Sequence, residues 1–400
     1  MSLCSNVIIH LTLVQKQTPC FLMIMTTMNP SSYFPLLSLK ANPHSKQSAH
    51  PITNIPFTRI LSPDAPRTQY RRRTEEEKTT VHWGQRKLLM SEIEFLLLAQ
   101  QEQQQLKKKE REETVAVVVV YAGAAPGTHV RILADMFPSH KFILVDPAPF
   151  TVRPERSSGG RIVIHRAMFT DELAHELRIS LQQQHNNSSV VLLFISDVRS
   201  CDPNLHTEQV HIERVKADME AQARWHGILR PHKSMLKFRL PYAPGSTVYL
   251  DGDLHLPVWG PSSTTECRLV VGKDAGTKTY DHTEHEEQMF HFNTVTRPAL
   301  YPHTVCGGCG IDHCYDCTAE VGILRAYLRF ARMDDSDKSV AQLSALVSSS
   351  ISSERTLAHK NPDREQKLEV IRKRQWKDSG GIRPSYEKYI NIMENNNNNK

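Results

Sequence analysis

The sequence lacks the two glycine-rich motifs that bind the commonest nucleotide cofactors. Residues 117–137 read VVVVYAGAAPGTHVRILADMF, a β-branched run followed by a turn and a helical pattern. A dinucleotide fold requires G-x-G-x-x-G after its first strand, and a P-loop requires Gly-Lys-Ser/Thr. This turn contains neither motif, which argues against both NAD and ATP as its ligand.

A long hydrophobic run and a large excess of one charge are also missing. The most apolar early stretch, CFLMIMTTM at 20–28, is too short to span a membrane, and no charged segment precedes an apolar core as in a signal peptide. A net charge of +6 over 400 residues suits an anionic partner but indicates nucleic acid only weakly. We therefore predict a soluble protein.

Cysteine is sparse except in one segment, CGGCGIDHCYDC. It holds four of the eight cysteines: Cys306, Cys309, Cys314 and Cys317. Two C-x-x-C pairs are typical half-sites of tetrahedral zinc, although the loop between them is shorter than in common zinc ribbons. Structural zinc, four reduced thiols packed on the sheet, a disulfide and another metal all stay open. The pattern favours a reducing compartment.

The composition and hydrophobic pattern along the chain predict three parts. Residues 1–80 are rich in Ser, Pro, Thr and His and are expected to form a mobile leader. Residues 81–335 alternate apolar runs with helical patterns and are predicted to form one α/β domain. Residues 336–400 are polar, end in NNNNN and are expected to be largely disordered, with one helix near 337–348.

Apolar runs predict strands in the central part. We expect strands at 115–121, 141–145, 161–165, 190–196, 234–240 and 266–271, and helices at 87–105, 128–137, 170–184 and 206–228. The first four strands contain continuous apolar runs rather than an alternating pattern, which is typical of strands buried on both faces. The sequence therefore predicts a mostly parallel central sheet with helices on both faces.

Asp146 suggests what the turn after the first strand binds. It follows the second strand, about twenty residues beyond the glycines, where a carboxylate can accept hydrogen bonds from ribose hydroxyls. A cofactor with ribose but no pyrophosphate points to S-adenosylmethionine. The competing interpretation is a turn that binds nothing, with Asp146 capping a helix.

Four charged residues lie at the edges of predicted core elements. Asp197 ends the strand VVLLFIS, Lys237 lies in SMLKFRLPYA, Lys87 opens the first helix and Glu266 begins ECRLVV. An acid at the carboxyl end of a central parallel strand faces the ligand crevice. Each residue taken singly is more often an ordinary surface charge, but buried charges are costly unless they are paired.

Five segments in order, GQRKLLMSEIEFLL, VVYAGAAPGTHVRIL, LFISDVRS, LKFRLPY and TECRLV, resemble the poxvirus-type cap-specific mRNA 2′-O-methyltransferases. These proteins double as regulatory subunits of the viral poly(A) polymerase. The resemblance covers roughly residues 82–330. It implies a Rossmann-like, S-adenosylmethionine-dependent methyltransferase that methylates the ribose 2′-hydroxyl of the first transcribed nucleotide of capped mRNA.

The resemblance also implies roles for individual residues. The catalytic Lys-Asp-Lys-Glu tetrad falls on Lys87, Asp197, Lys237 and Glu266, and the cofactor contacts fall on Gln85, Tyr121, Gly123, Gly127 and Asp146. Where the family has an arginine two residues past the ribose acid, this chain has Ala148. Lys237 is the candidate base, although an ammonium cannot accept a proton. In a milder role, it orients the hydroxyl and stabilises the developing oxyanion.

A methylated guanine cap is a cationic aromatic, best held between stacked rings with a carboxylate at its edge. The family's cap-stacking ring and cap-edge acid match Tyr242 and Glu286, and Tyr70 is the best placed second ring. The alternative for Tyr242 is an ordinary half-buried tyrosine. Arg199 and Arg239 are candidates for contacts with transcript phosphates.

The expected partners are capped mRNA and the catalytic subunit of a poly(A) polymerase, with no membrane. The expected setting is the cytoplasmic replication site of a large DNA virus, and also the virion. Two alternatives stay open: a non-catalytic processivity subunit of the polymerase, and a 2′-O-methyltransferase of uncapped RNA.

Overall fold

A computed structural model describes residues 55–71, 84–110, 116–153, 160–184, 190–200, 208–242, 244–261, 263–305, 311 and 313–358. These residues form nine strands: β1 (Ala116–Ala122), β2 (His140–Val145), β3 (Ile162–His165), β4 (Val190–Ser196), β5 (Lys233–Phe238), β6 (Ser246–Leu250), β7 (Asp253–His255), β8 (Cys267–Gly272) and β9 (Thr277–Asp281). They also form seven α-helices: α1 (Gly84–Glu110), α2 (Val130–Met136), α3 (Asp171–Gln184), α4 (Glu208–Leu229), α5 (His282–His291), α6 (Tyr315–Phe330) and α7 (Asp337–Ala358). A π-helical turn, Phe292–Thr296, continues α5.

Seven strands form one sheet in the order β3-β2-β1-β4-β5-β8-β7. The first five are parallel, while β8 runs antiparallel to both of its neighbours. The predicted α/β class with a mostly parallel sheet is therefore confirmed. Strands β6 and β9 pair in a separate two-stranded sheet that the sequence pattern did not predict.

Burial explains why the apolar strands sit in the middle. From Val118 to Ala122, β1 is at most 2% exposed, because β2 and β4 flank it and helices cover its faces. Parallel crossovers are right-handed. The step from β1 to β2 therefore places α2 on one face, and the return through α3 and α4 covers the other. The carboxyl ends of β1, β2 and β4 meet at one edge, which is where open α/β sheets form their ligand-binding crevices.

Residues 55–71 correct the predicted leader boundary. Ile60 forms a β-bridge with His255, and the Leu61 amide donates to the Leu254 carbonyl. Arg59 makes a two-pronged ion pair with Glu94 on α1, with N–O distances of 3.0 and 2.9 Å. The expectation of a mobile segment up to residue 80 is therefore wrong for 55–71. The composition of the sequence did not indicate an ordered segment here, because backbone pairing and one arginine hold it in place rather than a run of apolar residues.

The C-terminal boundary also needs correction. Helix α7 begins at Asp337 and buries Val340, Leu343 and Val347, so the packed part extends beyond the predicted end at 335. Helix α6, which the pattern did not predict, packs between α1 and α7. Among the described residues, no helix is long and apolar enough to cross a membrane.

Candidate active site

The loop after β1 requires glycine at two positions. Gly123 has φ +78°, and a Cβ there would lie 2.8 Å from the Val198 amide nitrogen. Gly127 has φ +66°, and a Cβ there would lie 3.0 Å from Val152. Both residues therefore need the left-handed region and a close approach that other side chains resist. Between them, the Ala125–Pro126 peptide bond is cis.

Asp146 braces this loop from the end of β2. Its Oδ2 accepts from the Ala125 amide at 3.1 Å, and its Oδ1 accepts from the Ala148 amide at 2.8 Å. Neither contact caps a helix. Each oxygen accepts one backbone hydrogen bond and so keeps a lone pair that can accept from a hydroxyl. The carboxylate is thus both an anchor of the loop and a candidate ribose ligand.

Four distant segments bring the predicted tetrad together. Lys87 lies in the first turn of α1, Asp197 directly follows β4, Lys237 lies in β5, and Glu266 directly precedes β8. Asp197 stays beside the sheet because its amide donates to the Ala122 carbonyl at 3.0 Å. The four side chains meet next to the Gly123 turn, since a Cβ on Gly123 would touch the Asp197 backbone at 2.9 Å.

The contacts within this cluster alternate in charge. Lys237 Nζ lies 3.0 Å from Asp197 Oδ1 and 3.6 Å from Glu266 Oε2. Lys87 Nζ lies 2.6 Å from Glu266 Oε1. A fifth member, Arg268, reaches Asp197 Oδ1 at 2.7 Å and Glu266 Oε1 at 3.1 Å. Three cations therefore share two carboxylates, leaving the cluster with one surplus positive charge.

Electrostatics keeps both carboxylates ionised. Burial raises the pKa of Glu266, but Lys237, Lys87 and Arg268 outweigh it and hold that pKa well below its ordinary value. The pKa of Asp197 is lowered in the same way, mainly by Lys237 and Arg268 against burial. Burial lowers the pKa of Lys87, although Glu266 opposes it. The site is a charged one, not a set of neutralised groups.

Gln222 on α4 fixes the backbone of Lys237. The pairing of β4 with β5 ends at Leu236, so the next residue has no ladder partner on that side. The buried Gln222 amide replaces it: Nε2 donates to the Lys237 carbonyl, and Oε1 accepts from the Lys237 amide, both at 3.2 Å. These two hydrogen bonds fix the Lys237 backbone and therefore the point from which its side chain leaves the sheet.

Two predicted cofactor residues lie near the loop, Gln85 in the first turn of α1 and Tyr121 at the end of β1. The Gln85 Oε1 accepts from Thr128 and lies 2.7 Å from His129 Nδ1. Tyr121 is 1% exposed, and burial, aided by the negative charges of Glu92 and Asp197, raises the pKa of its hydroxyl well above the ordinary value. Tyr121 therefore remains a neutral phenol between the loop and the charged cluster.

The predicted cap residues are only partly brought together. Tyr70 is 53% exposed and packs edge-on against Phe290, 5.5 Å between centroids, at the end of the helix that carries Glu286. Burial, followed by the charge of Glu287, raises the pKa of Glu286. Tyr242 is 43% exposed, with the Arg239 guanidinium 4.8 Å from its ring centroid. No contact between Tyr242 and Tyr70 is seen within the described part of the chain.

The cysteine segment is described only in part. Cys314 and Cys317 are buried at the start of α6, where the Cys314 sulfur accepts from the Cys317 amide at 3.5 Å. Cys306 and Cys309 lie outside the described residues. Within the described ranges, no group of three or more His, Cys, Asp or Glu side chains could hold a metal. Zinc therefore stays a prediction.

Arg268 and Gln222 were missed by the reasoning from sequence. Arg268 faces Lys237 across the β5–β8 ladder, so its alternation with Glu266 places both on one face. The basic residue within ECRLVV was the available signal, but only the register shows that it joins the site. Gln222 lies in a polar helix and carries no comparable signal.

Comparison with known proteins gives similarities of three kinds, to a family, to curated relatives and to a solved structure. The family described as Poly A polymerase regulatory subunit matches residues 60–307. Two curated relatives from Myxoma virus, strains Lausanne and Uriarra, are both described as cap-specific mRNA (nucleoside-2′-O-)-methyltransferases. Each is 30% identical over 237 residues, which is 56% of this chain and 64% of the relative. The match thus spans slightly less than two thirds of each relative's length.

A solved structure of bluetongue virus VP4, described as a multifunctional RNA-capping production line, gives a more distant similarity. It is 13% identical with a TM-score of 0.37, and it covers 56% of this chain and 34% of that protein. A similarity of this degree does not extend to a shared activity.

Proposed function

The chain belongs to the family of poly(A) polymerase regulatory subunits, and we propose that it methylates the ribose 2′-hydroxyl of the first transcribed nucleotide of capped mRNA. The methyl donor is S-adenosylmethionine. The catalytic groups are Lys87, Asp197, Lys237 and Glu266. The names of the two Myxoma virus relatives support this choice of substrate.

One observation carries the proposal. Two lysines and two carboxylates from four separate elements converge beside the loop that joins β1 to α2, at the carboxyl ends of parallel strands. Partly buried charges of this kind are costly for a fold that does not use them. Their position at the ligand crevice of an α/β sheet gives them a substrate to act on.

The residues around the loop fit S-adenosylmethionine chemically. Asp146 keeps one free lone pair on each oxygen for ribose hydroxyls, and the Gln85 side chain can contribute an amide donor for a carboxylate. When bound, this cofactor supplies an electrophilic methyl group on its sulfonium. Gly123 and Gly127 hold the loop in the shape that the site needs.

Lys237 orients the attacking hydroxyl. Its Nζ lies within ion-pair distance of Asp197 and Glu266, and an N–H of the same group can bind the oxygen of a 2′-hydroxyl. Because two carboxylates lie beside its nitrogen, the contacts favour the milder of the two roles considered for this lysine. It stabilises negative charge on that oxygen as the hydroxyl proton passes to water. Lys87 and Arg268 keep Glu266 and Asp197 ionised and in place.

Capped RNA is bound mainly by its cap and its phosphates. Tyr242 and Tyr70 offer exposed rings for a cationic guanine, and Glu286 offers an acid for its edge. Arg199, whose Nη1 lies 3.9 Å from Asp218, and Arg239 are the phosphate contacts, without sequence choice.

The test is a tritiated-methyl assay on short RNAs that differ only in the presence of a methylated cap. We expect transfer to the capped RNA and at most background transfer to the uncapped one. Equal transfer to both would favour the uncapped-RNA alternative. Absence of transfer to either RNA, with folded protein and added cofactor, would overturn the enzymatic proposal.

The family description favours a second role, as a processivity subunit of a poly(A) polymerase. This role is compatible with methyl transfer. Adding the chain to a poxvirus-type polymerase catalytic subunit should lengthen the tails made on a primer. Unchanged tail length would remove the polymerase as a partner.

Two further proposals concern the location of the protein in the infected cell and a structural zinc ion. The chain works at a cytoplasmic site of viral replication, which immunofluorescence of infected cells tests directly. Structural zinc would be held by Cys306, Cys309, Cys314 and Cys317. Metal analysis of the purified protein decides this, because a zinc content near zero leaves no such site.

A further inference from the structure

A buried histidine and a buried glutamate lie directly behind the predicted cofactor residue Gln85. His129 is 1% exposed and Glu92 is fully buried. His129 Nε2 lies 2.9 Å from Glu92 Oε1, and its Nδ1 lies 2.7 Å from Gln85 Oε1. Both ring nitrogens therefore face oxygen atoms. None of these contacts involves the Lys-Asp-Lys-Glu cluster.

The protons on the pair decide which end of the Gln85 amide faces inward. One proton lies between His129 Nε2 and Glu92 Oε1. When Nδ1 carries a hydrogen, the ring donates it to the Gln85 carbonyl oxygen 2.7 Å away. Without it, Nδ1 becomes an acceptor, and the amide has to turn its NH2 inward. Glu92 makes this contact through Oε1, and the Tyr121 hydroxyl and the Arg268 guanidinium also interact with the same carboxylate.

The surroundings support the arrangement with the Gln85 carbonyl directed inward. Thr128 also donates to Gln85 Oε1, so two donors meet one carbonyl oxygen. The Tyr121 ring lies 6.5 Å from the His129 ring, and its neutral phenol adds no opposing charge. With the carbonyl held inward, the Gln85 NH2 is directed away from His129. Within the described ranges, no residue accepts a hydrogen bond from it.

We propose that His129 and Glu92 are positioning residues for the cofactor: they lock the Gln85 carbonyl inward and so present its NH2 to the carboxylate of the amino-acid end. This inference rests on the proposed function. The α-carboxylate is the one anionic group of S-adenosylmethionine, and an amide NH2 that makes no other contact is a suitable donor for it. His129 acts through Gln85 and touches no reacting atom.

Two substitutions of the same histidine separate positioning from simple stability. The amide nitrogen of an asparagine takes roughly the place of Nδ1, whereas that of a glutamine takes roughly the place of Nε2. His129→Asn therefore keeps the donor to Gln85 and loses the contact with Glu92. His129→Gln keeps the contact with Glu92 and loses the donor. A residue that merely satisfies a buried glutamate would tolerate glutamine better than asparagine.

The experiment measures two ligands by calorimetry on the full chain. S-adenosylhomocysteine carries the amino-acid end, and 5′-methylthioadenosine lacks it. For His129→Gln we expect about a tenfold loss of affinity for S-adenosylhomocysteine, the value of one lost charge-assisted hydrogen bond. Its affinity for 5′-methylthioadenosine should change by less than about twofold. His129→Asn should bind both ligands within about threefold of the unsubstituted protein.

Other outcomes overturn the inference in distinguishable ways. Equal losses for both ligands, or a larger loss in His129→Asn, would leave His129 with a structural role only. An unsubstituted protein that binds neither ligand would overturn the proposed function, and this inference with it. Gln85→Glu gives a measurement that does not depend on how the histidine variants fold. It keeps both inward contacts but turns an oxygen outward, so it should lose S-adenosylhomocysteine and retain 5′-methylthioadenosine. Unchanged binding of both ligands by Gln85→Glu would contradict the proposed positioning role.

Discussion

Arg86 and Lys87 are adjacent on α1, yet their side chains belong to two charge clusters of opposite character. Arg86 is fully buried and pairs with Glu320, which also accepts from Trp259 Nε1 at 2.7 Å and from Ser344 Oγ at 2.6 Å. Lys87 joins a cluster whose side chains are 5–18% exposed and in which cations outnumber carboxylates. The first cluster has its hydrogen-bonding capacity filled from all sides. The cluster around Lys87 keeps hydrogen-bonding groups available at the carboxyl edge of the sheet, which is what binding a substrate requires.

The largest expected effect comes from the open cluster. Lys237→Met should reduce methyl transfer by about a thousandfold, because the hydroxyl loses both its orienting donor and a stabilising charge. Binding of S-adenosylhomocysteine and of cap analogue should stay within about threefold of the unsubstituted protein. The matched control is Lys233→Met, at the other end of the same strand, which should keep full transfer. Substantial turnover in Lys237→Met would remove this lysine from the mechanism.

The filled cluster should respond in stability instead. Glu320→Ala leaves Arg86 buried without its carboxylate, and we expect a loss of about 3–5 kcal/mol in the free energy of unfolding. Urea unfolding measures it. Glu220→Ala removes an exposed pair with Lys216, at 3.9 Å, and should cost less than about 0.5 kcal/mol. A small loss in Glu320→Ala would mean that this cluster can relax or hydrate as readily as the open one.

A third ion pair on α1, between Glu94 and Arg59, extends the comparison of the clusters to the effect of pH on stability. Burial raises the pKa of Glu94, but Arg59 and His255 outweigh it and lower that pKa to about 2. A lowered folded pKa gives stability that is present above the ordinary value of 4.5 and lost as pH falls towards 2. The shift corresponds to about 3 kcal/mol. Unfolding followed between pH 7 and pH 3 should show the difference between the unsubstituted protein and Glu94→Gln shrinking below about pH 4.5.

The control for this titration is Glu284→Gln, on the exposed pair with Arg67 at 3.6 Å. Its effect should stay under about 0.5 kcal/mol at every pH. A Glu94→Gln difference that did not shrink at low pH would show that the carboxylate contributes by packing rather than by charge.

The smallest effect is expected at the cap. Tyr242→Ala should weaken binding of a cap analogue by about tenfold, the scale of one cation–π contact, and leave binding of uncapped RNA unchanged. Tyr242→Phe is the control, since it keeps the ring. Fluorescence titration measures both. Equal losses on capped and uncapped RNA would make Tyr242 a general RNA contact.

The inner strands were predictable, and the outer elements were not. β1, β2 and β4 are apolar on both faces, so composition alone located them to within a residue or two. By contrast, β7 has three residues and β6 and β9 have five each, and no strand was predicted at any of these three places. Their pairing depends on partners that are distant along the chain, and no local pattern encodes that.

The same distinction applies to the site. Lys87, Asp197, Lys237 and Glu266 were predicted to share one site because each matched a motif, and the structure places them in contact. Their catalytic roles stay predictions. Arg268 and Gln222 were not predicted. The place of Arg268 in the site depends on the register of β5 with β8, and that of Gln222 depends on where the pairing of β4 with β5 ends.

The segment at 55–71 has a consequence for how the sheet avoids self-association. Its Leu61 amide donates to Leu254 in β7, the last strand of the sheet, and its Arg59 carbonyl accepts from Leu256, directly after that strand. An uncovered terminal strand offers its unpaired amides and carbonyls to any passing chain and so seeds aggregates. Polypeptide trimmed to begin at residue 72 would expose that rim, and stacking of one copy on another would compete with folding.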